Sequence, residues 1–245
     1  FMYLPILHTL DAGFRGLGAA VTLTSGMGPA RRAGQLKTGD VIVWVGAGRG
    51  VDLLPLTALG ARGVHRILYT TEPMRQSCSA DVPVSKWDEV WHYSRHNANL
   101  CRGRQRPAHR YVPPGALDVL ASGGGDNRAG ELASARGGVL RKQPRALFLG
   151  IIPRNTTPSM PGFARRACYS ALAAELGDQL EHRENVFTLP EMRRLFRSHS
   201  VFVNLHKDCG TSDRPAEAVR FSTLLSAGVR VVSEKCDPAD EADFE

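Results

Sequence analysis

The chain has no apolar run long enough to cross a membrane. Its longest, such as Val41 to Val45 and Val201 to Leu205, are strand-sized, against the roughly 20 residues that a spanning helix needs. It opens Phe1-Met2-Tyr3-Leu4 with no basic n-region and no small-residue cleavage site, which argues against a secretory signal and favours the cytoplasm, although an internal fragment would begin the same way. There is no CxxC pair. The five cysteines, Cys78, Cys101, Cys168, Cys209 and Cys236, are odd in number and scattered, so free, reduced thiols are expected. His206 and Cys209 offer two metal ligands without a second pair, and no metal site is expected. Acid is in deficit: 31 Lys and Arg against 24 Asp and Glu leave a net charge of +7. The run Arg95, Arg102, Arg104, Arg106 and Arg110 holds no acidic residue. It also lacks interleaved aromatics to stack bases, and no helix-turn-helix or RNP-like pattern accompanies it, so it reads as a solvated loop and nucleic acid is not an expected partner.

What is present is ordinary globular material, 42% hydrophobic and 22% charged, in a chain of 245 residues. That length suits two modest α/β domains. Val41 to Val45 reads as a buried strand, Asp52 to Ala61 as a helix and Arg66 to Thr70 as the next strand, which is a βαβ unit. Ile6 to Ala20 can be an interrupted helix feeding a strand at Val21 to Thr24, and Glu89 to Tyr93 another short strand. Residues 1–115 are therefore expected to form one doubly wound domain. Residues 116–143 shift to Gly and Ser with scattered charge and read as a flexible linker. Residues 144–245 restart the alternation, with strand Ala146 to Leu149, helix Pro161 to Leu176, helix Glu191 to Ser198 and strand Val201 to Leu205. Ser212 or Asp213 can cap a last helix, with Pro215 in its first turn and Gly228 as its stop, before a strand at Val229 to Ser233. The acidic tail Asp237 to Glu245 is too short to complete a layer, so a covering helix is expected to be missing.

The candidate site follows from where polar residues interrupt this pattern. Asn204-Leu205-His206 ends a strand, and open α/β sheets bind ligands beyond the carboxyl ends of their strands; the alternative is that His206 merely bonds a neighbouring carbonyl. Glu217 and Arg220 lie three apart on one helix face near free N–H groups suited to a phosphate, or simply form an intrahelical ion pair. Glu234 ends the next strand, where it can hold ligand hydroxyls or partner Arg220. Arg154, in the loop after the first strand of the second domain, is either a second phosphate clamp or a solvated arginine.

Ala146-Leu-Phe-Leu-Gly150 with Arg154, Val203-Asn-Leu-His206, Glu217-Ala-Val-Arg220 and Leu224 to Glu234 together resemble the carboxy-terminal domain of CgeB-like, family-1-type glycosyltransferases in order and spacing across about ninety residues. Glu89 to Ser94 with Asn97, and Arg110 to Gly115, resemble the end of that family's first domain. The resemblance implies a GT-B-like fold of two Rossmann-like domains and metal-independent transfer from a nucleoside-diphosphate sugar, with no further cofactor. It casts His206, Glu217 and Arg220 as catalytic and Arg154, Asn204, Arg220 and Glu234 as donor-binding. Many retaining enzymes of this type place two glutamates eight apart around the last helix; here those positions are Pro215 and Thr223, and Glu217 is the helix's one acid. A competing fingerprint lies in the first half. Gly46-Ala-Gly-Arg-Gly50 after a strand, with Glu72 after the next, is the pattern of a methyltransferase or dehydrogenase nucleoside loop, but Val51 stands where the third glycine belongs. A sugar- or nucleotide-binding module without turnover is the third reading.

Overall fold

In the computed structural model, residues 4–24, 32–46, 54–72, 74, 78, 84–115, 143–153, 157, 163–186, 188–206 and 217–243 are described. They build an α/β architecture with two separate four-stranded, wholly parallel sheets. The chain divides into two compact units. One comprises Tyr3–Gly115 with Ala239–Glu245, the other Ala116–Pro238 with Phe1–Met2. Most of the expected linker, the loop from Ala47 to Gly50, and Ser212, Asp213, Pro215 and Arg154 lie outside the described residues.

The first unit carries helix α1 (Leu4–Gly16), strand β1 (Val41–Val45), α2 (Leu56–Ala61), β2 (His65–Thr70), β3 (Glu89–His92), α3 (Arg95–Leu100) and β4 (Ala108–Tyr111). Its strands stand in the order β1-β2-β3-β4. Leu56, Leu59, Val64, Leu68, Trp87 and Val90 form its main core. Two expectations change here. Val21 to Thr24 is irregular rather than a strand. Helix α2 starts at Leu56, and Leu54 and Pro55, expected inside it, are not helical, because the residue preceding a proline is driven out of the helical region; Asp52 lies outside the described residues. The acidic tail, expected to be too short to complete a layer, forms a short helix of four residues, α7 (Pro238–Glu241). Its Asp240 is buried and accepts the backbone N–H groups of Arg95 and His96 at 2.6 and 3.2 Å. A carboxylate over the first turn of α3 satisfies donors that the helix cannot. Asp243 adds an ion pair to Arg95 at 2.7 Å and a hydrogen bond from the Tyr111 hydroxyl.

The cysteines also differ from expectation. Cys78 and Cys101 are joined by a disulfide, Cys168 is disulfide-bonded as well, and Cys236 is buried and outside any disulfide. A pairing across 23 residues follows from the return of the chain between β2 and α3, which spacing alone does not encode.

The second unit runs β5 (Gln143–Leu149), α4 (Phe163–Leu176), β6 (Leu180–Arg183), α5 (Leu189–Ser198), β7 (His199–Asn204), α6 (Ala218–Ser226) and β8 (Arg230–Ser233). Helix α5 begins on Thr188, whose hydroxyl accepts the Glu191 N–H at 3.4 Å. Helix α6 ends as expected at Gly228, with φ +65°. It starts later than expected, on Glu217, whose side chain makes no capping bond. Adjacent residues of β5 serve opposite faces of the sheet. Leu147 packs with Leu195, Phe196, Phe202 and Leu224, while Phe148 packs with Val203, Leu205, Tyr169 and Leu172. Both faces are thus covered, as parallel sheets require.

Candidate functional site

The order of the second sheet is β6-β5-β7-β8. From β5 the chain passes first to one side, into β6, and then returns to the other, into β7. The two crossovers part at the carboxyl ends of β5 and β7, and such a reversal is where open α/β sheets leave a crevice. Gly150 follows β5, and Asn204, Leu205 and His206 close β7. A Cβ at Gly150 would stand a tight 3.0 Å from the Phe148 ring and at an ordinary 3.6 Å from an Arg220 nitrogen, so glycine there spares the Phe148 ring a crowded contact. The Gly150 carbonyl is held by His182 Nε2 at 2.7 Å and the Ile152 N–H by Glu184 at 3.0 Å, which fixes the start of the loop.

One polar network occupies this edge. Arg220 NH1 donates to Asn204 Oδ1 at 2.5 Å and to the Leu205 carbonyl at 3.4 Å. Asn204 is fully buried, and its amide nitrogen donates to Ser233 Oγ at 2.9 Å, tying β7 to β8. The Glu217 carboxylate bridges two guanidiniums, Arg165 NH2 at 2.8 Å and Arg220 NH2 at 3.4 Å. Arg165 Nε also donates to the His206 carbonyl at 3.2 Å. Glu234 accepts the His206 backbone N–H at 2.6 Å. Asn204, His206, Glu217, Arg220 and Glu234 are therefore brought together, and the intrahelical Glu217–Arg220 pair exists within the larger assembly rather than instead of it.

The His206 ring is the exception in this network. The residue is 3% exposed, yet among the described residues neither Nδ1 nor Nε2 has a hydrogen-bond partner. The reading in which its ring bonds a neighbouring carbonyl is thereby corrected: backbone atoms of His206 are bonded, ring atoms are not. Burial lowers its pKa from the ordinary value against the pull of Glu217 and Glu234, with Arg220 and Arg165 adding to the lowering. A neutral imidazole presents one N–H donor and one lone pair, and each buried polar atom left unmade costs about 1–3 kcal/mol. Such a group is poised for a partner that both donates and accepts, as a sugar hydroxyl does.

Arg165 is the residue that sequence reasoning missed. It stands in the first turn of α4, 41 residues before His206 and 52 before Glu217, and no local pattern marks it among the chain's other arginines. In the first unit, Gly46 ends β1 with φ +118° and its N–H bonds the Tyr69 carbonyl at 3.1 Å. The Glu72 carbonyl accepts from the Asn97 amide at 3.1 Å. No protein-family model matches this sequence, and no curated protein matches it.

Proposed function

We propose that the protein is a glycosyltransferase that moves a sugar from a nucleoside-diphosphate sugar to an acceptor, with the donor held at the β5/β7 edge of the second unit. The observation that carries this reading is the buried His206 ring, without a partner among the described residues and set among Arg165, Arg220, Glu217 and Glu234 at the reversal of strand order. The resemblance in the motifs at Asn204 to His206, Glu217 to Arg220 and Leu224 to Glu234 points the same way. Transfer leaves a diphosphate whose developing charge must be met in a site of low dielectric. Arg220 and Arg165 supply preorganised guanidinium donors for it, and the amino end of α6 adds the positive end of the helix dipole. Glu217 spaces the two arginines, and Glu234 fixes the backbone of His206. The imidazole then hydrogen-bonds the transferred sugar and does not act as nucleophile. Arg154 is proposed to complete the phosphate clamp.

A thermal-shift screen tests the ligand class, since a donor at a hundred times its Kd stabilises the native state by about 2.7 kcal/mol. At least one nucleoside-diphosphate sugar should raise the melting temperature, and release of its nucleoside diphosphate should accompany turnover. Stabilisation by S-adenosylmethionine or a nicotinamide dinucleotide, with none by any nucleotide sugar, would transfer the function to the Gly46–Gly50 loop and Glu72. Donor binding without turnover would leave a sugar-nucleotide-binding module.

A further inference from the structure

The first unit holds a second cluster that the proposed reaction does not use. Cys78 and Cys101 are buried against Met74, with Val84 and Leu100 packed on them. His109, on β4, directs Nε2 to within 3.8 Å of Cys78 Sγ. One ligand atom from each of Cys78, Cys101 and His109 lies within 4.8 Å of the other two. We propose that these three residues form a site for a thiophilic divalent cation of the zinc class, closed while Cys78 and Cys101 are joined and open once they are reduced.

The hydrogen bonds behind His109 fix which of its nitrogens carries a lone pair. The Thr70 hydroxyl donates to the Trp91 carbonyl at 3.1 Å, so towards His92 Nδ1, 3.3 Å away, its oxygen can only accept. His92 Nδ1 therefore bears the proton. His92 is fully buried, and a buried imidazole is neutral, which leaves Nε2 to accept from His109 Nδ1–H at 2.9 Å. The proton of His109 is thus on the side of His92, and the lone pair of Nε2 faces the sulfurs. A metal-bound histidine is held in this way, its far N–H donated to a second residue that sets the tautomer.

Spacing and charge agree with that ligand set. In a tetrahedral zinc site with Zn–S near 2.3 Å and Zn–N near 2.1 Å, neighbouring ligand atoms stand about 3.6–3.8 Å apart, which the Cys78–His109 distance already meets. Two thiolates and one neutral imidazole cancel the charge of a divalent ion, so the complex suits apolar surroundings. The chemistry balances. A dithiol reductant takes up the protein disulfide and leaves as its own disulfide, delivering two thiols, and those thiols release two protons as the metal binds. Three protein ligands leave a fourth position for water.

Cobalt(II) titration of the full chain tests this, because thiolate-bound tetrahedral cobalt has an intense near-ultraviolet charge-transfer band. The phosphine-reduced protein should bind one equivalent with that band, zinc should displace it, and the oxidised protein should show none. Cys101→Ser and His109→Asn should each lose or shift the band. His92→Leu should keep it with metal affinity lowered by about 10–100-fold, as loss of the group that orients a histidine ligand does. Circular dichroism of each variant separates loss of the site from loss of the fold. A reduced wild-type protein that binds no cobalt, or a band unchanged in folded Cys101→Ser and His109→Asn, would overturn the proposal.

Discussion

In the first sheet, His92 is completely buried and both its ring nitrogens are bonded, one to Thr70 and one to His109; in the second, His206 is almost as deeply buried and neither nitrogen has a partner among the described residues. The surroundings differ in the same sense. Around His92 the neighbours close a short relay between strands β2, β3 and β4. Around His206 stand two arginines and two glutamates that hold one another and its backbone but leave its ring alone. Strand order differs too, running β1-β2-β3-β4 without reversal in the first unit and turning back between β5 and β7 in the second. Buried polar groups are bonded in folded proteins with few exceptions. His92 is thus satisfied within the fold, whereas the His206 ring, at a reversal of strand order, has no partner among the described residues, and the proposed donor site rests on that difference.

The largest effect should come from Arg220→Ala in the second unit. Removing one partner of a buried charged contact costs about 2–5 kcal/mol, so affinity for the nucleotide sugar should fall well over tenfold by calorimetry while circular dichroism stays unchanged. Full affinity in this variant would reduce Arg220 to a structural partner of Glu217. Next comes the pH response of the first unit. Burial, with His109 beside it, pushes the His92 pKa down from 6.5 to about 4. Between those values the unfolded chain takes up a proton that the folded chain refuses, so stability is fully present above pH 6.5 and is lost as pH falls toward 4, by up to about 3 kcal/mol. Urea midpoints at pH 7 and pH 4.5 should differ in that sense, and His92→Gln should flatten the difference.

A smaller loss is expected from Asp88→Asn. The Asp88 carboxylate takes both Arg66 Nε and NH2, at 2.9 and 2.7 Å, and lies well below the ordinary range because of that pairing. The pair is partly solvated, so the substitution should lower stability by about 1–2 kcal/mol, read as a shifted urea midpoint with nucleotide-sugar binding intact. Smallest of all, Glu72→Ala should leave nucleotide-sugar affinity within about twofold, a difference of about 0.4 kcal/mol, and S-adenosylmethionine should give no heat with either protein. A drop in nucleotide-sugar affinity in Glu72→Ala would move the site to the first unit.

How much of this was legible in the sequence depended on whether apolar pattern or topology held the information. Strands β1, β2 and β7 declare themselves as runs of Val, Ile, Leu and Phe, and Gly228 declares the end of α6. Strands β4, Ala108-His-Arg-Tyr111, and β6, Leu180-Glu-His-Arg183, carry too little apolar residue to be seen; they pair at sheet edges, where polar side chains are tolerated. Asn204, His206, Glu217, Arg220 and Glu234 were visible because each sits at the end or start of a legible element. Arg165 was not, since only the packing of α4 over β5 and β7 carries it to Glu217. The Cys78–Cys101 pairing and the return of the acidic tail to α3 are likewise consequences of the fold rather than of spacing.

The most direct measurement is the nitrogen spectrum of ¹⁵N-histidine-labelled protein, with His206 assigned by His206→Gln and His92 by His92→Gln, recorded while the nucleotide sugar giving the largest thermal shift is titrated in. With the donor at the proposed site, the two ring nitrogens of His206 should move in proportion to saturation, as donor and acceptor gain partners, while those of His92 and His109 stay fixed. A His206 ring that does not move at saturating ligand would contradict it.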